Sequence, residues 1–319
     1  MLLSRVAETV YWMARYIERA EDTARIVLTH TNLVLDLPPS IGLGWEPLLA
    51  ITGSGEQFYQ RYDTPSEERV VRFLIADPKN SSSVLSSLFI ARENLRTTRA
   101  VVPRSAWEAL NDAYQYAKEQ VTSGTSRRGR YEYLRRIIEH AQKLVGLLDG
   151  TMSHDRTYDF LCMGRALERA DMTTRLLDVR AGNLLPRRPE ESAAFEDIQW
   201  MGVLRSVSAY QMYRRHVHVR VTGPQVLKFL LQDREFPRSV FHCVEQLERC
   251  LRGYARSETS LHLLGRARRM VRDAKLNTLA WEGLHEFIDA LQIVLGKLHE
   301  DLTKTYFRAE EFSRASEAA

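Results

Sequence analysis

The sequence has no uncharged apolar run long enough to cross a bilayer, and only three cysteines, Cys162, Cys243 and Cys250. A membrane-spanning helix needs about 20 consecutive, mostly apolar residues, so we expect no membrane association. Three cysteines without a C-x-x-C pair favour reduced thiols over a disulfide framework. The first residues also lack the basic segment, apolar run and small-residue cleavage site of a secretory signal. We therefore expect a soluble, cytoplasmic protein.

The motifs of several enzyme classes are missing as well. The sequence has no glycine-rich phosphate loop, no H-E-x-x-H zinc motif and no G-x-S-x-G nucleophile elbow. Serine, histidine and aspartate occur, but no spacing groups them as a catalytic triad. We therefore assign no catalytic residue and expect no cofactor.

The charge balance is only mildly basic. Lys and Arg number 45 against 41 Asp and Glu, which gives a net charge of +4. This excess is too small to indicate a nucleic-acid-binding protein. Basic residues cluster at Arg127–Arg128–Arg130, Arg187–Arg188 and Arg266–Arg268–Arg269. The simplest interpretation is that these side chains are solvated, and an anionic partner is the alternative.

The apolar pattern predicts an all-α protein, because no period-two pattern with turn punctuation persists anywhere in the chain. The longest amphipathic pattern predicts a helix from Ser4 to about Leu35, ended by Pro38–Pro39. In the second half, helices are predicted over 154–181, 195–216 and 224–231, and from Pro237 onward.

The first helix is repeated 150 positions later. Residues 13–25, MARYIERAEDTAR, match residues 163–175, MGRALERADMTTR, at seven of thirteen positions. At an offset of 155, Trp45, Leu49 and Phe58 correspond to Trp200, Leu204 and Tyr213. At an offset of 156, Phe73, Asp77 and Ser83 correspond to Phe229, Asp233 and Ser239. We interpret this as two tandem pseudo-repeats of a helical bundle, 1–150 and 151–319, packed together about a pseudo-twofold axis.

One side of the repeated helix carries arginines and acids at spacings of three and four residues. A solvated surface is the simpler explanation, with each exposed pair contributing about 0–1 kcal/mol. Apolar neighbours such as Trp12 and Ile26, and an Arg-x-x-Glu-Arg core present in both copies, instead favour a covered side where arginine forks bind carboxylates. We predict an ion-pair network or a ligand or partner site there. Its residues are Arg15, Glu18, Arg19, Glu21 and Arg25 in the first copy and Arg165, Glu168, Arg169, Asp171 and Arg175 in the second.

A metal site on the same carboxylates is the less favoured interpretation. Glu18 with Glu21, and Glu168 with Asp171, have the i, i+3 spacing of helix-borne metal ligands. Di-metal bundles also need Glu-x-x-His motifs on two facing helices, and the sequence has no such pair. The adjacent arginines would compete with a cation, so we expect no metal.

Further polar positions have two interpretations each. Four of them flank short helices in equivalent places of the two halves: Asp77, Ser83, Asp233 and Ser239. Helix capping is their simpler role, and an anion site at the following helix N-terminus is the alternative. Arg205 and Arg214 belong to an Arg/Tyr-rich segment that is typical of a helix interface, with phosphate or carboxylate binding as the alternative.

Several long segments resemble one known family in the right order. The opening S-R-V-A-E-x-x-Y-W-x-x-R-Y-x-E-R-A-E-x-x-A-R runs from Ser4 to Arg25. It is followed by F-L-x-x-D-P, S-S-V and A-R-E-N-L-R within 73–96, by G-R-x-L-E-R-A-D-x-T-x-R at 164–175, and by F-P-R-S-V at 236–240. These segments resemble the bacterial alpha-E domain family over nearly the whole chain.

The resemblance implies an all-helical protein whose relatives are encoded beside, or fused to, a circularly permuted ATP-grasp protein, often with a transglutaminase-like protease. It therefore implies ATP-dependent amide or peptide bond formation by the ATP-grasp partner. The family supplies no established catalytic residue. Its glutamate and arginine motifs fall on Arg15, Glu18, Arg19, Glu21, Arg165, Glu168, Arg169 and Asp171.

Three functional hypotheses follow. The first is a non-catalytic, or catalytically incomplete, helical subunit that binds an ATP-grasp-type ligase or presents its peptide substrate. The second is an enzyme that uses the duplicated Arg/Glu residues on an amino-acid or peptide carboxylate. The third is a self-associating helical scaffold, a homo-oligomer.

Overall fold

The computed structural model describes residues 4–37, 43–181, 192–217, 220–280 and 282–307. Within these ranges the chain forms sixteen α-helices and no β-strand, which confirms the predicted all-α class. The first eight are α1 (Ser4–Asp36), α2 (Glu46–Ile51), α3 (Gly55–Tyr59), α4 (Glu67–Ile75), α5 (Val84–Thr97), α6 (Arg104–Glu119), α7 (Val121–Thr125) and α8 (Arg130–Thr151). The others are α9 (Arg156–Ala181), α10 (Ser192–Ser206), α11 (Tyr210–His216), α12 (Gly223–Leu227), α13 (Val240–Leu251), α14 (Glu258–Arg272), α15 (Leu276–Leu279) and α16 (Leu284–Leu302).

The long helices form two groups of four with the same internal contacts. In the first group α1 packs against α5 and α8, and α6 packs against both of these. In the second group α9 packs against α13 and α16, and α14 packs against both of these. Helices α1 and α9 also pack along each other, so the two repeated helices lie together at the centre. One continuous hydrophobic core contains buried residues of both groups.

Helix α1 is buried on both of its sides. The aliphatic stripe that includes Val10, Met13 and Ile17 is buried as its period predicts. The opposite, charged side is buried too, with Glu18 and Asp22 each only 1% exposed. The charged side is therefore an internal surface between α1 and its neighbours.

Gly164 lets α1 and α9 approach closely. A Cβ atom at this position would lie 2.3 Å from the carbonyl oxygen of Tyr11 and 3.3 Å from the Cβ of Ala14. A side chain would therefore overlap the backbone of α1. The glycine brings the two helices near enough for their charged side chains to meet.

The prediction of a single helix over 195–216 is wrong, because the structure has two helices there. Helix α10 ends at Ser206 and α11 begins at Tyr210, and Ser208 between them has φ 53°. A residue in the left-handed region cannot continue a right-handed helix. Gly53, at an offset of 155, has φ 63° between α2 and α3. The glycine in the first half was therefore a signal for the break in the second.

Other boundaries shift by a few residues. The helix expected from Pro237 begins at Val240, and the helix expected over 224–231 is α12 followed by a π-helical turn at Lys228–Gln232. The predicted basic cluster Arg187–Arg188 lies outside the described residues. Within the described ranges, no helix combines the length and apolar content that a membrane span requires. The three cysteines are buried and free.

Candidate functional site

The charged sides of α1 and α9 face each other and form a buried ion-pair network centred on Arg15, Glu18, Arg19, Glu168, Arg169 and Arg238. At its centre lie two glutamates, Glu18 on α1, 1% exposed, and Glu168 on α9, 2% exposed. Each glutamate is followed directly by an arginine that belongs to the same network. The network therefore contains one Glu-Arg dipeptide from each copy of the repeated helix.

Glu168 is bound by two arginines of α1. Arg19 binds it through two parallel hydrogen bonds, with Nε 2.6 Å from Oε1 and Nη2 3.0 Å from Oε2. Arg15 donates from Nε to Oε2 at 2.6 Å. The Arg15 guanidinium also lies over the rings of Tyr11 and Trp12, 5.9 and 5.2 Å from their centroids. Both oxygens of Glu168 are thus satisfied by fixed guanidinium groups.

Glu18 is bound in the reciprocal direction. Arg169 of α9 donates from Nε to Glu18 Oε1 at 2.9 Å. The two dipeptides therefore exchange partners, since Arg19 binds Glu168 and Arg169 binds Glu18. Such an exchange is what a pseudo-twofold axis between the two helices would produce. Duplication of the chain remains an inference from the repeated sequence, and the exchange adds to it.

A further arginine, Arg238, binds three acids of α1 and was missed by the sequence analysis. Its Nη2 lies 2.6 Å from Glu18 Oε1 and 3.1 Å from Glu21 Oε1, and its Nη1 donates to Asp22 Oδ1 at 2.6 Å. Thr173 of α9 anchors the Arg238 backbone by donating to its carbonyl oxygen at 2.9 Å. Arg238 precedes Ser239, the cap of α13, so the start of that helix reaches into the network.

The two halves differ at Arg238 and at Asp22, the acid that Arg238 binds. At an offset of 156 the first half has Ser82 in place of Arg238, and at an offset of 150 the second copy has Met172 in place of Asp22. The additional acid and the additional arginine therefore occur together, in contact. Because Arg238 has no counterpart in the first half, the repeated pattern gave no signal for it.

The outer arginines of the two copies meet equivalent breaks between helices. Arg25 binds Glu21, with Nε 2.9 Å from Oε1, and also donates to the hydroxyl of Ser208. Arg175 binds Asp171 at 2.9 Å, and its guanidinium lies against Gly53, where a Cβ atom would be 2.6 Å from Nη1. Each arginine therefore links its own helix to the positive-φ residue of the other half.

Arg165 is the predicted network residue that does not join a carboxylate. Within the described part of the chain, no acid lies at ion-pair distance from it, and its Nη2 lies 3.7 Å from Cys162 Sγ. At an offset of 150 its counterpart, Arg15, binds Glu168. Correspondingly, Oε2 of Glu18 is buried and has no hydrogen-bond partner among the described residues. The network is therefore asymmetric at this position.

The electrostatics keep the two central glutamates ionised. Burial opposes ionisation, but Arg169 and Arg238 lower the pKa of Glu18 to about 2, and Arg15 and Arg19 lower that of Glu168 to about 2. Asp22 behaves differently, because burial, together with the nearby Glu18 and Glu21, raises its pKa to about 8 although Arg238 lowers it.

The four polar positions that flank short helices act as caps. The Ser83 hydroxyl accepts the backbone N–H three residues on at 3.2 Å, and that of Ser239 does so at 3.1 Å. The side chains of Asp77 and Asp233 each accept the backbone N–H two residues on, both at 2.9 Å. These hydrogen bonds occupy backbone N–H groups that an anion site, the alternative interpretation, would require.

Arg205 and Arg214 both contact one exposed element of the second half. The Arg205 guanidinium lies over the Tyr210 ring, 5.5 Å from its centroid, and Arg214 Nη1 lies 3.5 Å from the Tyr210 hydroxyl. Both arginines are exposed on the surface. The contacts correspond to a stacked Arg/Tyr surface rather than to a convergent anion site.

One group of metal-type ligands lies away from the network. Asp178, His285 and Asp289 have donor atoms within 4.8 Å of one another, on the surface. The imidazole Nδ1 of His285 lies 2.6 Å from Asp178 Oδ1, and its Nε2 lies 3.7 Å from Asp289 Oδ2. The hydrogen bond to Asp178 raises the pKa of His285, as expected of an ion pair with protonated histidine.

Comparison with protein-family models identifies the family of the chain. Residues 2–307 match the model of the alpha-E family, described as a predicted alpha-helical domain with a conserved ER motif. The chain belongs to the alpha-E family. Two Glu-Arg dipeptides of this alpha-E protein, Glu18–Arg19 and Glu168–Arg169, are those that exchange partners in the network. No curated protein and no solved structure matches the chain.

Proposed function

We propose that this alpha-E protein is a non-catalytic helical subunit of an ATP-grasp-type amide or peptide ligase system. In this proposal it binds the ligase or presents the peptide substrate to it. The observation that carries the non-catalytic part is the state of Glu18 and Glu168. Both are buried and bound by arginines, and both have a pKa of about 2.

A carboxylate in that state is poorly suited to catalysis. A general base works best when its pKa lies near the operating pH and when it can reach the substrate proton. Neither glutamate meets either condition, and the two glutamates already occupy the arginines that a substrate carboxylate would bind. The buried network therefore supports a structural role over an enzyme that uses the duplicated Arg/Glu residues.

The ligase part of the proposal rests on family membership. The resemblance to the alpha-E family implies an ATP-grasp neighbour, often with a transglutaminase-like protease, and ATP-grasp proteins form amide and peptide bonds. A helical protein without a recognisable active site fits the place of a partner in such a system.

Co-purification from the native cell tests the partnership. The tagged chain is expressed at its native level and cross-linked, and the recovered proteins are compared with those bound by an unrelated helical protein with the same tag. We expect an ATP-grasp protein to be enriched, and we expect its ligase activity to fall when the gene for this chain is deleted. Recovery of the chain alone, with unchanged ligase activity after deletion, would contradict the proposal.

Two further measurements separate the alternatives. Replacing Glu18 and Glu168 with Gln should lower stability, with any loss of ligase activity following the loss of folded protein. Lost turnover in a variant that remains fully folded would instead support an enzyme. Light scattering addresses the scaffold hypothesis, which requires a stable homo-oligomer in the absence of a partner.

A further inference from the structure

A polar cleft with a volume of about 650 Å³ lies between α4, α7 and the start of α8. It shares no lining residue with the ion-pair network. The side chains of Arg72, Arg127 and Arg130 line it together with those of Glu67 and Glu68. Three cations and two anions leave the cleft with one net positive charge.

Arg130 is fixed at the wall of the cleft. Its side chain is only 2% exposed, which corrects the expectation that the basic cluster containing it is solvated. The guanidinium lies 5.5 Å from the ring centroid of Trp45, and its Nη1 lies 2.9 Å from Glu67 Oε1 and 3.4 Å from Thr31 Oγ1. Burial against an aromatic ring and two polar partners holds the group in one position.

The guanidinium of Arg130 has unused hydrogen-bonding capacity. Its Nε is buried and has no acceptor among the described residues. A guanidinium offers five N–H donors, and a buried donor without an acceptor is costly. Most such groups in proteins have partners, so an exception calls for an explanation. The guanidinium therefore still has N–H donors for the acceptor oxygen of a ligand at the wall of the cleft.

Glu67 neutralises only part of the positive charge. Arg127 binds its two oxygens through Nε at 3.1 Å and Nη2 at 2.5 Å, while Arg130 shares Oε1. One carboxylate therefore serves two arginines. Within the described ranges, neither Arg72 nor Glu68 has an ion-pair partner, although both line the cleft from the exposed side of α4. The cleft thus offers one unpaired cation and one unpaired anion.

We propose that this cleft binds a small zwitterionic ligand, an acidic amino acid or a short acidic peptide. Arg72, together with Arg130, takes a ligand carboxylate, and Glu68 takes the ammonium group. The hydroxyls of Thr122 and Ser126 line the same cleft and supply additional hydrogen bonds. A ligand with one net negative charge complements the single positive charge of the lining.

The binding itself does not depend on the proposed function. If the ligand is also the peptide substrate of the ligase, that identity rests on the proposed function. A direct binding measurement therefore tests the cleft separately, because it needs no ligase and no ATP. Co-purification tests the partnership separately, because it needs no ligand.

Isothermal titration calorimetry on the full chain provides the test, with L-glutamate, glutarate and inorganic phosphate as probes. Glutarate has the two carboxylates of L-glutamate without its ammonium group. We expect saturable binding of L-glutamate and weaker binding of both other probes. Arg72→Gln should weaken L-glutamate binding about tenfold or more, because it removes a charge-assisted contact. Arg266→Gln, an exposed arginine on α14, is the matched control and should change nothing.

Glu68→Gln tests the ammonium contact separately. It should weaken L-glutamate binding and leave glutarate binding unchanged or tighter. Arg130→Lys keeps the charge but loses the fork, and it should also weaken L-glutamate binding. Thermal unfolding shows which variants remain folded, and Arg72 and Glu68 are exposed enough that their variants should be.

Three results would overturn the proposal. The first is no saturable binding of L-glutamate by the folded protein. The second is tighter binding of phosphate than of L-glutamate, which would assign the arginines to a phosphate instead of a zwitterion. The third is an equal effect of Arg266→Gln and Arg72→Gln, which would show that the probes respond to surface charge and not to the cleft.

Discussion

Arg19 on α1 binds Glu168 on α9 through two parallel hydrogen bonds of 2.6 and 3.0 Å. These two residues are separated by about half the chain, and their contact joins the two groups of helices. Because Glu168 is almost fully buried, the contact is protected from solvent. A buried ion pair of this kind contributes little net stability relative to an apolar replacement, but removal of one partner is costly.

The first prediction compares two arginines at equivalent positions of the repeated helix. Arg15 donates to Glu168, whereas Arg165 has no carboxylate partner among the described residues. Arg15→Gln should lower the free energy of unfolding by about 1.5–3 kcal/mol, whereas Arg165→Gln, which breaks no ion pair among the described residues, should lower it by about 1 kcal/mol or less. Urea unfolding with an unchanged m-value measures both. Equal losses would show that Arg15 has no special contact.

The second prediction concerns the close approach of the helices at Gly164. Gly164→Ala would place a methyl group 2.3 Å from the Tyr11 carbonyl oxygen, so α1 and α9 would have to separate. We expect a loss of about 1–3 kcal/mol, typical of overpacking. Gly146, inside α8, is the control, since no described atom lies within 4 Å of its added Cβ. Gly146→Ala should stabilise the helix by about 0.5–1 kcal/mol. If Gly164→Ala leaves the stability unchanged, α1 and α9 do not approach closely at this position.

The third prediction is a pH dependence that Asp22 controls. Its pKa in the folded protein, raised by burial to about 8, lies above that of the unfolded chain. The folded state therefore keeps a proton that the unfolded chain releases, and stability falls as the pH rises between about 4 and 8. Asp22→Asn cannot ionise, so the stability of the variant relative to the wild type should increase over that range, by at most about 1.4 kcal/mol per pH unit. A pH-independent difference, or one of opposite sign, would refute this assignment.

The fourth prediction concerns Asp22 and Arg238, whose equivalent positions hold neither an acid nor an arginine. Arg238→Ser should destabilise by about 3–5 kcal/mol, because it leaves the buried, ionised Glu18 without one of its cations and Asp22 without its hydrogen-bond donor. Adding Asp22→Met recreates the combination that the other side has at Met172 and Ser82. The double variant should therefore be more stable than Arg238→Ser alone. If the second substitution adds a further loss, Asp22 and Arg238 do not act as a pair.

The period of the apolar residues was enough to predict the all-α class, and the repeated pattern identified the charged residues that lie between the helices. Apolar residues among the charges, such as Trp12, indicated that the charged side is covered. Which residues pair across the interface depends on the position at which α1 and α9 approach most closely. That contact, at Gly164, is a long-range one that no local pattern predicts.

Other features depend on contacts that no local pattern encodes. Arg238 lies in a segment without an equivalent arginine in the first half, so the repeat gave no signal for it. The burial of Arg130 depends on Trp45 and on Glu67, which lie far from it along the chain. The surrounding sequence, with two further arginines at Arg127–Arg128, pointed to a solvated cluster instead.

A double-mutant cycle on Arg19 and Glu168 tests the central claim, that the arginine and glutamate sides of the repeated helices hold the two halves together. Unfolding free energies are measured for Arg19→Gln, Glu168→Gln and the double variant. The exposed pair Arg104 and Glu108, 2.9 Å apart within α6, is the control cycle and should give less than about 0.5 kcal/mol. We predict a coupling energy of about 1–3 kcal/mol between Arg19 and Glu168. Additive losses, with coupling no larger than in the control, would contradict the account.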